Sequence, residues 1–196
     1  MYGPNMYRLK THGLKMHSRA ISMAASTLLT TMVATHAVAE TGTDEIPEVL
    51  RPPAGQVLAL AARATGVQIY ECKAAKDNPA QFSWTLKAPE ADLKDLSGKS
   101  VGKHYAGPTW EAGDGSKVMG ELVAKRDAPV ATAIPWLLLR AKSTSGNGIF
   151  SAIVSIQRLQ TVGGTPPADG CDSSQAGKEL RVPYSAVYRF YKAPSP

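Results

Sequence analysis

Histidine is the first scarcity: of the four in the chain, His12, His17 and His36 fall within the first 39 residues and only His104 follows. A single imidazole excludes any metal site built on a His pair or triad within that remainder. Cysteine is nearly absent too, and its two thiols, Cys72 and Cys171, admit one intramolecular pairing. No apolar run reaches the roughly 20 residues that a membrane helix needs; residues 20–34 (AISMAASTLLTTMVA) stop at 15. No serine stands in the G-x-S-x-G frame of an α/β-hydrolase. Residues 113–115 (GDG) lack the Lys-Ser/Thr pair and the following helix of a phosphate-binding loop.

The short apolar run follows a stretch that holds Arg8, Lys10, Lys15 and Arg19 and no acid, and small residues at 37–39 (AVA) precede Glu40. This is the layout of a cleaved secretory signal over residues 1–39, with Met16 as an alternative start that leaves a more compact one. No cysteine follows the expected cleavage site and no arginine pair precedes it, so neither a lipid anchor nor twin-arginine export is expected. Cleavage takes away four of the 22 Lys and Arg and none of the 16 Asp and Glu, so the net charge falls from +6 to +2. The remaining Lys and Arg are scattered among Asp and Glu with no clustered basic face, which argues against a nucleic-acid partner. A periplasmic or extracellular location is expected, where oxidising conditions favour a Cys72–Cys171 disulfide. A zinc site using both cysteines and His104 is the rival, and it needs a carboxylate ligand as well. No cofactor is expected otherwise.

The 157 residues that remain can bury one sizeable core. Residues 40–53 (ETGTDEIPEVLRPP) read as an extended arm, and 54–193 as a single β-rich domain. Residues 57–63 and 67–73 read as strands joined by a hairpin at 64–66 (ATG), with a short helix competing for the first. Residues 82–87 (FSWTLK) alternate as a half-buried strand, and 90–96 (EADLKDL) suggest one helical turn. Residues 134–141 (IPWLLLRA) and 149–161 (IFSAIVSIQRLQT) form a long hairpin, with Ile156 and Arg158 on one side of the second strand. A loop at 162–177 carries Cys171, and 181–192 (RVPYSAVYRFYK) is a last strand with an aromatic face. Strands dominate, so the expected architecture is an antiparallel β-sandwich or barrel with at most one or two short helices.

Chemistry concentrates at 102–123 (GKHYAGPTWEAGDGSKVMGELV), which reads as two or three short strands with a tight turn at Asp114 and Gly115. Gly120 marks a bulge or a close backbone approach in the strand from about 117 to 125. Folding this meander could gather His104, Trp110, Glu111, Asp114 and Glu121 into one concavity. The alternative is that Trp110 packs in the core, His104 donates to a backbone carbonyl, and the carboxylates are turn residues.

The segments YEC at 70–72, HYAGPTWEAGDGSKVMG at 104–120, IPWLLLRA, IQR at 156–158, the GG-x-PP loop with Cys171, and VPYSAVYRFY occur in this order. In them the chain resembles a secreted microbial family of proteins of unknown function, numbered three-four-five-five, from about Pro52 to Tyr191. The resemblance implies export and brings no catalytic residue with it.

Three functions are expected to compete. The first is a ligand- or saccharide-binding domain that uses Tyr105 and Trp110 as a platform, with His104 and Glu111 as hydrogen-bonding groups. The second is a small secreted enzyme with His104 and either Glu111 or Asp114 as acid and base. Within that class, a triad would draw on Ser116 or Ser151, and a carboxylate pair on Glu111 and Glu121. The third is a structural or stress-related envelope protein with no small-molecule site.

Overall fold

A computed structural model describes residues 45–194. The expected signal peptide, its cleavage site and the start of the arm lie outside them. The strands are β1 (Val57–Ala74), β2 (Phe82–Asp95), β3 (Ser100–Tyr105), β4 (Thr109–Ala112), β5 (Lys117–Arg126), β6 (Trp136–Ser145), β7 (Ile153–Gly163) and β8 (Glu179–Lys192). They form a closed barrel in chain order, each antiparallel to its neighbours, with β1 returning to pair with β8. Of the two architectures expected, the barrel is the one formed. Closure leaves no free sheet edge in the wall.

Alternation along the strands decides which side chains fill the interior. In β8, Tyr184, Ala186, Tyr188 and Phe190 are buried inside. In β2, Ala91 and Leu93 turn in while Glu90, Asp92 and Lys94 are exposed. The segment that suggested a helical turn is therefore the end of a strand, because pairing with β1 and β3 outweighs local helix preference. An eight-stranded barrel has room for its own side chains or for one small ligand among them. Trp110, Tyr188, Phe150 and Phe190 pack in it against the small Ala62, Ala64, Ala91, Ala112 and Ala186.

The hairpin expected at 64–66 does not form, and β1 runs straight through Gly66. Glycine is needed there for closeness, not for a turn: a methyl group at Gly66 would stand 2.1 Å from the Glu90 carbonyl oxygen. At Gly102 a methyl group would stand 2.0 Å from the Glu111 carbonyl oxygen and 2.8 Å from Ala112 Cα. The wall pinches at these two points, where backbone faces backbone. Gly102→Ala is therefore expected to destabilise the protein by about 1–3 kcal/mol or more. Gly113→Ala, whose new methyl meets only Val101 O at 3.8 Å, is expected to stay within about 0.5 kcal/mol. Urea melts of the two variants compare them directly, and equal losses would contradict the close approach.

The wall's outside carries many charges. Arg63, Glu90, Asp92, Lys94, Lys103, Glu121, Lys125 and Arg140 are exposed on five strands, where a lipid-facing barrel carries an apolar band. Among the described residues no helix is long and apolar enough to cross a membrane. One apolar patch on the outside is covered by the arm, whose 3-10 turn (Glu48–Leu50) buries Leu50 against Trp136, Leu138 and Leu159. Gln157 Nε2 donates to Leu50 O from the wall and Tyr191 Oη donates to Gln157 Oε1 at 2.7 Å, pinning the arm. The expected disulfide is present: Cys72, near the end of β1, is bonded to Cys171 in the loop before β8.

Candidate functional site

The β3–β4 hairpin pairs His104 with Trp110, Lys103 with Glu111 and Tyr105 with Thr109. Directly paired residues share a face and neighbours along a strand alternate, so the barrel wall passes between the residues expected to form one site. His104 and Trp110 point inward and are 2 % and 1 % exposed. Their rings stack with centroids 4.4 Å apart, and Tyr188 meets both edge-on, at 5.1 and 5.3 Å. His104 Nδ1 lies 2.9 Å from Thr109 O. A carbonyl only accepts, so Nδ1 carries the proton and Nε2 is left bare. Burial pushes the His104 pKa down to about 3; the Thr109 carbonyl opposes this and the nearby Arg158 charge adds to it. His104 is thus a neutral core imidazole at ordinary pH.

Tyr105 and Glu111 stand together on the outside. Tyr105 Oη donates to Glu111 Oε2 at 2.7 Å, and Lys117 Nζ lies 3.2 Å from the same oxygen. These two contacts, Tyr105 first, hold the Glu111 carboxyl below its ordinary range. Beside Tyr105 runs a surface groove of about 300 Å³, lined in part by Glu90, Asp92, Lys103 and Arg181. Asp114 occupies a third place, the β4–β5 turn. It accepts from Ser116 N at 2.9 Å, Ser116 Oγ at 2.6 Å and Ile149 N at 2.9 Å. The hydroxyl's hydrogen bond, then that from Ile149, lowers its pKa. Asp114 and Ser116 therefore tie two turns together, and His104 bonds to neither of them nor to Glu111. Glu121, the other half of the carboxylate pair, is held by Arg140 at 2.6 Å.

Inside the barrel, the residues flanking this imidazole form a polar cluster that sequence reasoning missed. Arg158 pairs in register with Leu137 and with Tyr188, both of which face the core, so it also points inward. Its Nε and Nη2 donate to Pro135 O at 3.0 and 2.9 Å. Near it lie Tyr70, Tyr184 and Tyr188, whose ionisation its charge favours while burial, the stronger influence, holds all three phenols protonated. Tyr70 Oη donates to Gly164 O at 2.6 Å, and Gly164 packs between Tyr184 and Gln68. The Gln68 Nε2, Tyr184 Oη and Tyr188 Oη atoms are buried and make no hydrogen bond of good geometry, although Tyr188 Oη lies near enough to Tyr184 and Arg158 for loose side-chain hydrogen bonding. The one available signal in the sequence was Arg158 itself, a cation on the same side of its strand as the core residue Ile156.

A profile described as "Protein of unknown function (DUF3455)" matches residues 53–192. The chain belongs to this family. Neither a curated protein nor a solved structure matches it. The DUF3455 match spans all eight strands, both cysteines and every residue of the inner cluster. Chemically, the DUF3455 barrel offers hydrogen-bond donors and one cation inside, and mixed charges outside.

Proposed function

We propose that this chain is an exported, non-catalytic binding protein whose barrel holds a small, acceptor-rich ligand. The ligand would sit among Gln68, Tyr184, Tyr188 and Arg158, with the His104–Trp110 stack of the central meander as one wall. A single observation carries this reading. Gln68, Tyr184 and Tyr188 are only 1 %, 4 % and 1 % exposed, and each presents a polar atom without a well-formed hydrogen bond. A buried unpaired polar group costs about 1–3 kcal/mol, so three in one neighbourhood suit a partner from outside the chain. The enzyme reading is weaker, since His104 is neutral, buried and bonded to Thr109 alone.

The test is mass spectrometry of the exported protein under native and denaturing conditions. A native mass in excess of the denatured one, lost in a Tyr184→Phe/Tyr188→Phe variant, is the expected result. Removing two poorly paired hydroxyls is also expected to leave the empty variant as stable as the wild type, or about 1–2 kcal/mol more stable in urea. Identical native and denatured masses, together with a destabilised variant, would count against the site.

A second reading has its own observation: the outer groove sets Tyr105 beside Glu90, Asp92 and Lys103, a set of groups suited to a saccharide. It requires that Tyr105→Ala abolish glycan retention while the Tyr184→Phe/Tyr188→Phe variant keeps it.

A further inference from the structure

We infer that the ligand of the inner site is a small carboxylate-class anion, clamped by Arg158 with the Tyr184 and Tyr188 hydroxyls and the Gln68 amide donating to it; this rests on the binding reading above. The charge balance of the interior carries it. Among the described residues no ion pair includes Arg158. No Asp or Glu is buried among them either. The guanidinium is half-buried beside an aromatic core, and its partners are neutral: the Pro135 carbonyl and the nearby Tyr188 hydroxyl. Moving a cation out of water without a counter-ion is costly, and breaking or omitting one half of such a pair costs more than the pair returns when made.

Geometry agrees with the charge. Nε and one N–H of Nη2 are committed to Pro135 O, which leaves three of the five guanidinium N–H groups, two on Nη1 and one on Nη2, for other acceptors. The Tyr184 and Tyr188 hydroxyls lie near the guanidinium, the Gln68 amide meets Tyr184 at Gly164, and all three can donate. A cation would meet Arg158 and no carboxylate, so it does not fit. A carboxylate meets a charged donor and neutral donors together, the arrangement in which such hydrogen bonds are strongest. Arg158 is also the half-exposed member of the cluster, which marks the side from which a ligand enters.

The probes are two pairs of near-isosteres, acetate with acetamide and benzoate with benzamide, titrated into the exported protein at constant ionic strength. Binding is followed by thermal shift and by calorimetry. At least one carboxylate is expected to bind at least 10-fold more tightly than its amide, and Arg158→Gln is expected to abolish the difference. Arg158→Lys, which keeps the charge, should retain part of the preference and serves if the glutamine variant fails to fold. The wild-type comparison needs no variant at all. An amide that binds as tightly as its carboxylate overturns the anion while the polar-ligand reading stands. If no probe binds and the exported protein retains nothing, both fall, and the cluster is satisfied by water.

Discussion

Acidification from pH 6.5 to pH 5 is expected to cost the protein roughly 2 kcal/mol of folding stability, and a His104→Gln variant is expected to lack most of that loss. In the unfolded chain the imidazole titrates near 6.5. In the folded barrel burial holds it neutral down to about 3, so between these values the unfolded state binds a proton that the native state refuses. Stability therefore rises with pH across this window and falls on acidification, by about 1.4 kcal/mol per pH unit. The folded carboxylates of Asp95, Glu111, Asp114, Asp172 and Glu179 are lowered by their partners, so they too lose stability in acid. Their contribution begins at the ordinary carboxylate range near pH 4, which leaves the interval above about pH 5 to His104. Urea midpoints at pH 7, 6 and 5 for both proteins measure the effect. Parallel slopes would mean that the imidazole is solvated or protonated, and would remove the neutral wall from the proposed site.

That prediction depends on His104 facing inward, and this much was within reach of the sequence, because parity in a β3–β4 hairpin separates His104 and Trp110 from Tyr105 and Glu111. What the meander's composition suggested was one concavity, and composition is blind to faces. The same blindness explains Gly66. Residues 64–66 have turn chemistry, but whether the chain turns or runs on depends on β2 lying within contact of that glycine. The last strand was legible because its aromatic residues repeat every second position, which is the period of the barrel wall. Closure through β1 and β8 was not, since those strands meet across most of the domain's length. Arg158 shares the side of Ile156 in the strand pattern, yet nothing else in the sequence marks it as a site residue. Arginine is so seldom enclosed that its strand parity suggests a surface position near a sheet end, and only the closed barrel turns that side into an interior.

The bond between Cys72 and Cys171 is expected to contribute roughly 4–5 kcal/mol, because it spans 99 residues and so constrains most of the unfolded domain. A Cys72→Ala/Cys171→Ala variant should melt about 10–20 °C below the oxidised protein, and reduction of the wild type should reproduce the shift. The loss acts mainly on the unfolded chain. In the folded protein the loop keeps other attachments: Trp84 Nε1 donates to Asp169 O at 3.0 Å, Cys72 N to Lys178 O at 2.9 Å and Gly177 N to Cys72 O at 2.9 Å. Few buried side chains back these contacts, so the loop is expected to open before the barrel does. Amide exchange distinguishes the two levels: on reduction, protection across 164–178 should fall first while β1 and β8 remain protected. The opening reaches the inner cluster through Gly164, whose carbonyl accepts from Tyr70 and whose backbone packs on Gln68 and Tyr184. Reduced protein should therefore release a bound carboxylate faster at temperatures well below its melting point. If exchange across 164–178 were the same in both redox states, the loop would be held by its hydrogen bonds alone and the disulfide would have no bearing on the site.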